Sequence, residues 1–297
     1  MGYFILYRKS QKSSWSSYII IKCIIIKQVL FLQKIKVDRK YSLHTEYSHM
    51  KRNLDNELLN KYPILKQSNK DNIPQLWKNK EWAKSFAEFI IEMVGDNIPP
   101  EIIEIHPPFD DYCSSFTEFF EVYEVFEKII KNEYPNVKIF IENRCGTFYK
   151  GGKFIISKCK TVIEFLQELE SRNLQLKLVL DYPQVFSAEA IKMDDIKLKK
   201  IIEFNKKLKP YIKYVGGFHL WGKRKSSNGR WTSHTGDLNT FFSGNNLLKE
   251  EFIKSIIDTF NDEVVRYFVP EVNSSEEDLQ SIVYDLLKFN INFTNDE

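Results

Sequence analysis

Short runs of β-branched and aromatic residues alternate along this chain with longer stretches of helical spacing, and this alternation constrains the fold most. The strand-like runs are Tyr3–Tyr7, Tyr41–His44, Ile102–His106, Val137–Glu142, Leu176–Asp181, Tyr214–Leu220 and Val265–Glu271. Helical candidates lie between them: Trp82–Val94, Phe116–Asn132, Thr161–Arg172, Leu198–Leu208 and Leu247–Phe260. In the last, Leu247, Leu248, Phe252, Ile256, Ile257 and Phe260 make one apolar stripe. Strands separated by helices pair in parallel through right-handed crossovers. The expected fold is therefore α/β, a (β/α)8 TIM barrel, with all 297 residues in one domain. A closed barrel needs about eight strands, and one is missing from the visible series. Either the N-terminal unit is incomplete, which is the preferred reading, or Phe289–Phe293 pairs in the gap. Residues 51–80, polar and carrying Pro63 and Pro74, read as a long excursion.

A core strand of a parallel sheet is apolar nearly throughout. Here six runs end on or beside a side chain able to hold a metal: His44, His106, Glu142, Asp181, His219 and Glu271. In an α/β barrel the C-terminal strand ends converge on one face, where the chemistry sits. Taken singly, each has a plainer reading: Asp181 as the cap of the next turn, Glu142 as the partner of Arg144. Taken together, three imidazoles and three carboxylates suit zinc or manganese, with magnesium as a further option. Carboxylates packed without a cation would repel and lose solvation. Six ligands exceed the need of one tetrahedral ion and match two ions sharing a bridging carboxylate. His49 reads as a surface residue.

Composition narrows the field. Lys+Arg 43 against Asp+Glu 40 leaves +3, too mild to mark a nucleic-acid binder by itself. The 4 cysteines form no CxxC pair, which argues against a disulfide framework and fits a reducing cytoplasm. Tyr18–Leu32 is apolar but interrupted by Lys22 and Lys27, and is shorter than the roughly 20 residues a spanning helix needs. It reads as a buried helix, with no membrane partner expected.

The strand-end motifs carry a resemblance. Tyr-Ser-Leu-His44, Ile-His106-Pro, Ile-Glu142-Asn-Arg-Cys-Gly, Leu-Asp181-Tyr-Pro-Gln184, Phe-His219-Leu, Ser-His234-Thr-Gly-Asp and Pro-Glu271-Val follow one another in the order of the xylose isomerase-like barrels. They are most similar to the apurinic/apyrimidinic endonuclease IV group. Tyr3–Trp15 also resembles that group's second strand and following turn. The resemblance implies His44, His106 and Glu142 on one metal, and Glu142, Asp181, His219 and Glu271 on a second, with Glu142 bridging. The group's third metal has no counterpart, because Gln184, Arg230 and Thr232 stand where its ligands would be. The same superfamily holds sugar isomerases and epimerases. In those, one ion sits on residues matching Glu142, Asp181, His219 and Glu271, and the two glutamates move a proton.

The segment Lys223-Arg224-Lys225-Ser-Ser-Asn-Gly-Arg230-Trp231 follows the His219 strand and should overhang the pocket. Its cations could clasp phosphates, and Trp231 could stack on a sugar or base. Arg230 could supply charge where the third metal is lost. A solvated basic loop is the plainer alternative. The expected function is a divalent-metal-dependent phosphodiesterase acting on nucleic acid, with two ions, zinc foremost and manganese or magnesium as options; the expected partner is DNA or another phosphate- or sugar-bearing substrate. Glu142, Glu271, His234 and Arg230 serve catalysis, and Lys223, Arg224, Lys225, Trp231 and Gln184 bind substrate. A one-metal sugar isomerase or epimerase is the alternative, and a non-catalytic nucleic-acid-binding relative is a third.

Overall fold

Parallel pairing holds the strands in a single curled sheet in the computed structural model. It describes residues 21–25, 27–30, 40–45, 56–67, 74–146, 148–149, 152–191 and 198–293. Along the chain run β1 (Ile21–Ile25), β2 (Lys27–Leu30), β3 (Tyr41–His44), α1 (Asn56–Asn60), α2 (Lys80–Val94), β4 (Ile102–Ile105), α3 (Phe116–Glu133) and β5 (Lys138–Glu142). A short hairpin of β6 (Phe148–Tyr149) and β7 (Gly152–Lys153) precedes α4 (Cys159–Glu170), β8 (Lys177–Asp181), α5 (Tyr182–Ala188), α6 (Lys199–Leu208) and β9 (Val215–Leu220). A second hairpin, β10 (Lys223–Lys225) and β11 (Trp231–Ser233), leads to α7 (Leu238–Phe241), α8 (Asn246–Thr259), β12 (Arg266–Pro270), α9 (Glu276–Lys288) and β13 (Ile291–Phe293). The expected helices and the strands from Tyr41 onward are all present, with ends shifted by a few residues. Tyr3–Tyr7, Tyr3–Trp15 and His49 lie outside the described residues.

The order in the main sheet is β13-β1-β12-β9-β8-β5-β4-β3-β2. Ile25 pairs with Phe268 of β12, whereas Lys27, two positions on, pairs with Tyr41 of β3. One short stretch of chain thus pairs into both flanks of the series, and the sheet is curled; among the described residues no ladder joins β2 to β1 or β13. This is an α/β barrel with an altered N-terminal unit. The buried helix expected over Tyr18–Leu32 is not what forms at Ile21–Leu30, which contributes strands instead. Isoleucine and valine favour a pleated, covered surface, and β12 and β13 flank β1 while β3 pairs with β2. At the other terminus, β13 pairs in parallel with β1, so the apolar run Phe289–Phe293 does join the sheet beside the altered unit.

Alternation sorts the side chains into two layers. Ile103, Ile105, Ile139, Ile141, Leu178 and Leu180 face outward into the large core shared with the helices. Ile102, Phe140, Val179, Tyr267 and Val269 face inward and pack together across the barrel axis. A Cβ on Gly216 would fall 2.5 Å from the Phe140 ring, so glycine there makes room for the inner layer.

The excursion between β3 and β4 is less polar in effect than in composition. Leu59, Leu65, Leu76 and Trp77 are buried in the core. Side-chain caps set several helix starts: Asn79 accepts from Trp82, Ser115 from Glu118, and Ser275 from Asp278. No helix among the described residues is long and apolar enough to cross a membrane.

Candidate metal centre

The same alternation that turns Ile102 inward turns Glu104 and His106 inward, one and two steps nearer the C-terminal rim. Phe140 is followed on its face by Glu142, Val179 by Asp181, Gly217 by His219, and Val269 by Glu271. On β3 the inward residue at that level is His44, which pairs with Glu104 across the ladder. Each strand therefore changes from apolar to ionisable at the same height. His44, Glu104, His106, Glu142, Asp181 and His219 are all buried.

Two overlapping groups of donors result, each with ligand atoms within 4.8 Å of one another: His44, Glu104, His106 and Glu142, and then Glu104, Glu142, His219 and Glu271. His44 Nε2 lies 3.4 Å from Glu104 Oε1, 3.5 Å from Glu142 Oε2 and 3.7 Å from Glu271 Oε1. His219 places Nε2 3.2 Å from Glu104 Oε2 and Nδ1 3.5 Å from Glu271 Oε1. His106 Nε2 is 2.9 Å from Glu142 Oε2. Arg144 donates through Nη1 to both Glu142 oxygens, at 2.8 and 3.0 Å. These buried His and Glu groups could hold a metal ion. The donor chemistry fits a divalent cation, and both oxygens of buried Glu104 receive no hydrogen bond from the described residues.

Glu104 was missed in the sequence, though its signal was there: a lone carboxylate inside the apolar run Ile-Ile-Glu-Ile, two residues before His106 on the same strand face. Asp181 is buried against the cluster but belongs to neither donor group. Its Oδ1 caps α5 by accepting from Gln184 N at 2.8 Å, and its Oδ2 accepts from Trp221 Nε1 at 2.9 Å. The capping reading of Asp181 thus describes one of its contacts, and the pairing reading of Glu142 with Arg144 describes two of that residue's.

Supporting contacts hold the rim still. Trp77, with φ +62°, donates from Nε1 to the His106 carbonyl at 2.7 Å. Asn143 bonds both the amide and the carbonyl of Asp181, and Thr45 Oγ1 donates to the Glu104 carbonyl.

Electrostatics divides the cluster. Burial drives the His106 pKa down to about 3, against the pull of Glu142. Burial likewise opposes charge on His219, but Glu104 and Glu271 outweigh it and hold that imidazole well above its ordinary value. Asp181 is pushed well up by burial and then by Glu142 and Glu271. Glu142 stays well below its ordinary value despite burial, because Arg144 and His106 favour the anion.

The remaining predicted residues lie beside Glu271, on α5 and on the β10–β11 hairpin. The His234 side chain is 25% exposed and Glu271's 9%, against none for His219, so the cluster meets solvent on their side. His234 sits at φ +59°. Its Nδ1 is 3.1 Å from the Glu271 carbonyl, and its ring packs 4.2 Å from Trp221. Gln184 Oε1 accepts from the Cys145 amide. Lys223 is half-buried, donating to Ser187 Oγ at 2.7 Å. Arg224 is committed to a two-pronged pair with Asp278, at 2.7 and 2.6 Å. Lys225 lies 4.9 Å over the Trp231 ring. Arg230 is exposed in the hairpin turn, where its carbonyl accepts from Ser226 N at 2.8 Å.

Comparison with solved structures places this architecture. The crystal structure of AsfvAP:AG superposes over 90% of this chain and 97% of its own, with a TM-score of 0.50 at 12% identity. The likeness is one of fold, a TIM-barrel-like α/β architecture. A xylose isomerase domain protein from Planctomyces limnophilus covers 71% of this barrel and 63% of that chain, with a TM-score of 0.37 and 16% identity. A psychrophilic family 10 endo-β-1,4-xylanase covers 82% of this chain and 71% of its own, at 0.39 and 10%. No protein-family profile and no curated protein matches the sequence.

Proposed function

We propose that this xylose isomerase-like barrel is a divalent-metal-dependent phosphodiesterase acting on nucleic acid, with two ions, zinc in first place, on the strand-end cluster. The observation that carries the reading is the pair of overlapping donor groups; a proton-transfer site needs only one. The likeness in fold to AsfvAP:AG is compatible with this reading. His44, His106, Glu142, His219 and Glu271 would hold the ions, which when bound supply Lewis acidity toward a phosphodiester. His234, partly exposed beside Glu271, would meet the phosphate, and Arg230 of the hairpin turn would contribute a second cationic contact. Lys225 and Trp231 offer a charged, stackable surface on the hairpin. Arg144 keeps Glu142 ionised and correctly aimed.

Purified chain loaded with Zn or Mn and incubated with an abasic-site duplex tests this; cleavage is expected. Absence of cleavage by a sample proven to be metal-loaded would end the proposal. Salt-dependent DNA binding without cleavage would then favour a non-catalytic relative.

The isomerase reading draws on Gln184, whose oxygen is engaged by the Cys145 amide, leaving no third ligand of the endonuclease type. It expects deuterium uptake into a ketose in heavy water, with Glu142 and Glu271 moving the proton and with metal retained after His44→Ala and His106→Ala.

A further inference from the structure

We infer that Glu104 is the carboxylate shared between two cation positions, and that Trp221 has withdrawn Asp181 from ligation into the scaffold. This deepens the two-metal reading above and rests on it. Three carboxylates compete for the shared role, and their surroundings separate them. Glu142 already receives both contacts from Arg144 Nη1 and a third from His106. Asp181 has each oxygen occupied, one by the Gln184 amide and one by the Trp221 indole, and its main chain is clamped by Asn143. Glu104 is 0% exposed, and neither oxygen accepts a hydrogen bond from the described residues.

What faces Glu104 instead is a histidine on each side. Oε1 looks toward His44 at 3.4 Å and Oε2 toward His219 at 3.2 Å. These two histidines belong to different donor groups, and Glu104 belongs to both. A carboxylate with one oxygen beside each group has the form required of a shared ligand. Apart from the two imidazoles it faces, Glu104 has no side-chain hydrogen-bond partner among the described residues, and a carboxylate buried at the centre of a strand costs several kcal/mol unless it is compensated. The Asp181 side is equally determined. Asp181 joins neither donor group, and the Trp221 indole, which can only donate, fixes one of its oxygens in the scaffold while the cap fixes the other.

The test uses the full chain, stripped with chelator, dialysed against Zn2+ or Co2+ and analysed for metal per chain in wild type, Glu104→Gln and Asp181→Asn. Glu104→Gln is expected to bind fewer ions than wild type, and Asp181→Asn as many. The opposite pattern, with metal lost from Asp181→Asn and kept by Glu104→Gln, overturns the inference while leaving the two-metal reading standing. A wild-type chain that takes up no metal overturns both. Should Glu104→Gln fail to fold by circular dichroism, Glu104→Asp keeps the charge and retracts the carboxylate by one methylene. Its Co2+ absorption spectrum should then differ from wild type, and an identical spectrum overturns the inference.

Discussion

The Nε2 atom of His219 stands 3.2 Å from Oε2 of Glu104, and both side chains are closed off from solvent. The pair belongs to a set of buried carboxylates in which Arg144 is the permanent cation. Metal removal should therefore cost stability. At free metal about 100-fold above Kd, binding contributes about 2.7 kcal/mol, a rise of roughly 4 °C in Tm for a chain of this size. Thermal melts with and without chelator measure it, and superimposable melts would contradict it.

Trp221→Phe should destabilise the fold by about 1–3 kcal/mol, because it leaves one oxygen of buried Asp181 without its donor. Urea titration should show a lower midpoint with an unchanged slope.

The β10–β11 hairpin is tethered by Arg224 to Asp278 on α9. Burial would raise the Asp278 carboxyl, but the Ser274 hydroxyl and Arg224 overcome this and hold it below the ordinary aspartate value of 3.8. A depressed folded pKa gives stabilisation that is complete above the unfolded value and is lost as pH falls through the folded one. The tether should thus survive mild acid and release only below the ordinary aspartate range. A 19F signal from fluorotryptophan at Trp231, assigned with Trp231→Phe, should shift in that window in wild type. In Arg224→Ala it should already be displaced at neutral pH. The stability cost of Arg224→Ala should stay within about 1 kcal/mol, since the guanidinium is largely exposed.

Gly222→Ala should be among the most damaging single-methyl changes. Its Cβ would lie 2.3 Å from the Gly236 carbonyl carbon and 2.4 Å from the Asp237 carbonyl oxygen, and backbone cannot swing aside as a side chain can. A loss of about 3 kcal/mol or more is expected, together with displacement of His234, whose loop crosses Gly222 here. Denaturant midpoints and the His234 ring resonances report the two effects.

If nucleic acid is the substrate, Trp231→Ala should weaken binding of an abasic duplex by about 1–3 kcal/mol. Lys225→Ala should instead lower the salt slope by about 1. Fluorescence anisotropy across a salt series separates them; equal effects from both variants would argue against a stacking role.

Most of the barrel was legible because a buried parallel strand leaves a continuous apolar signature, and an ionisable residue ending it stands out. Glu104 does not stand at a strand end but inside the apolar run of β4, so the strand-end pattern does not mark it, although the same two-residue period places it beside His106. The strands at Ile21–Leu30 were hidden for another reason. An unbroken apolar run has no period, so strand and helix look alike until neighbours supply edges to pair with. No local signal marks the commitments of Asp181 to Trp221 or Arg224 to Asp278, since both join residues far apart in the chain.

The pairing of Cys23 with Arg266 and of Ile21 with Ile291 has a bearing on biosynthesis. Contacts between such distant positions are the slowest to form, because the intervening loop must lose its freedom before any ladder compensates. While the ribosome is still extending the chain, β1 has no partner on either edge. An open sheet with its N-terminal edge bare must therefore persist until β12 and β13 emerge. In that interval the nascent chain is most exposed to edge-to-edge association, and a chaperone would have most to protect.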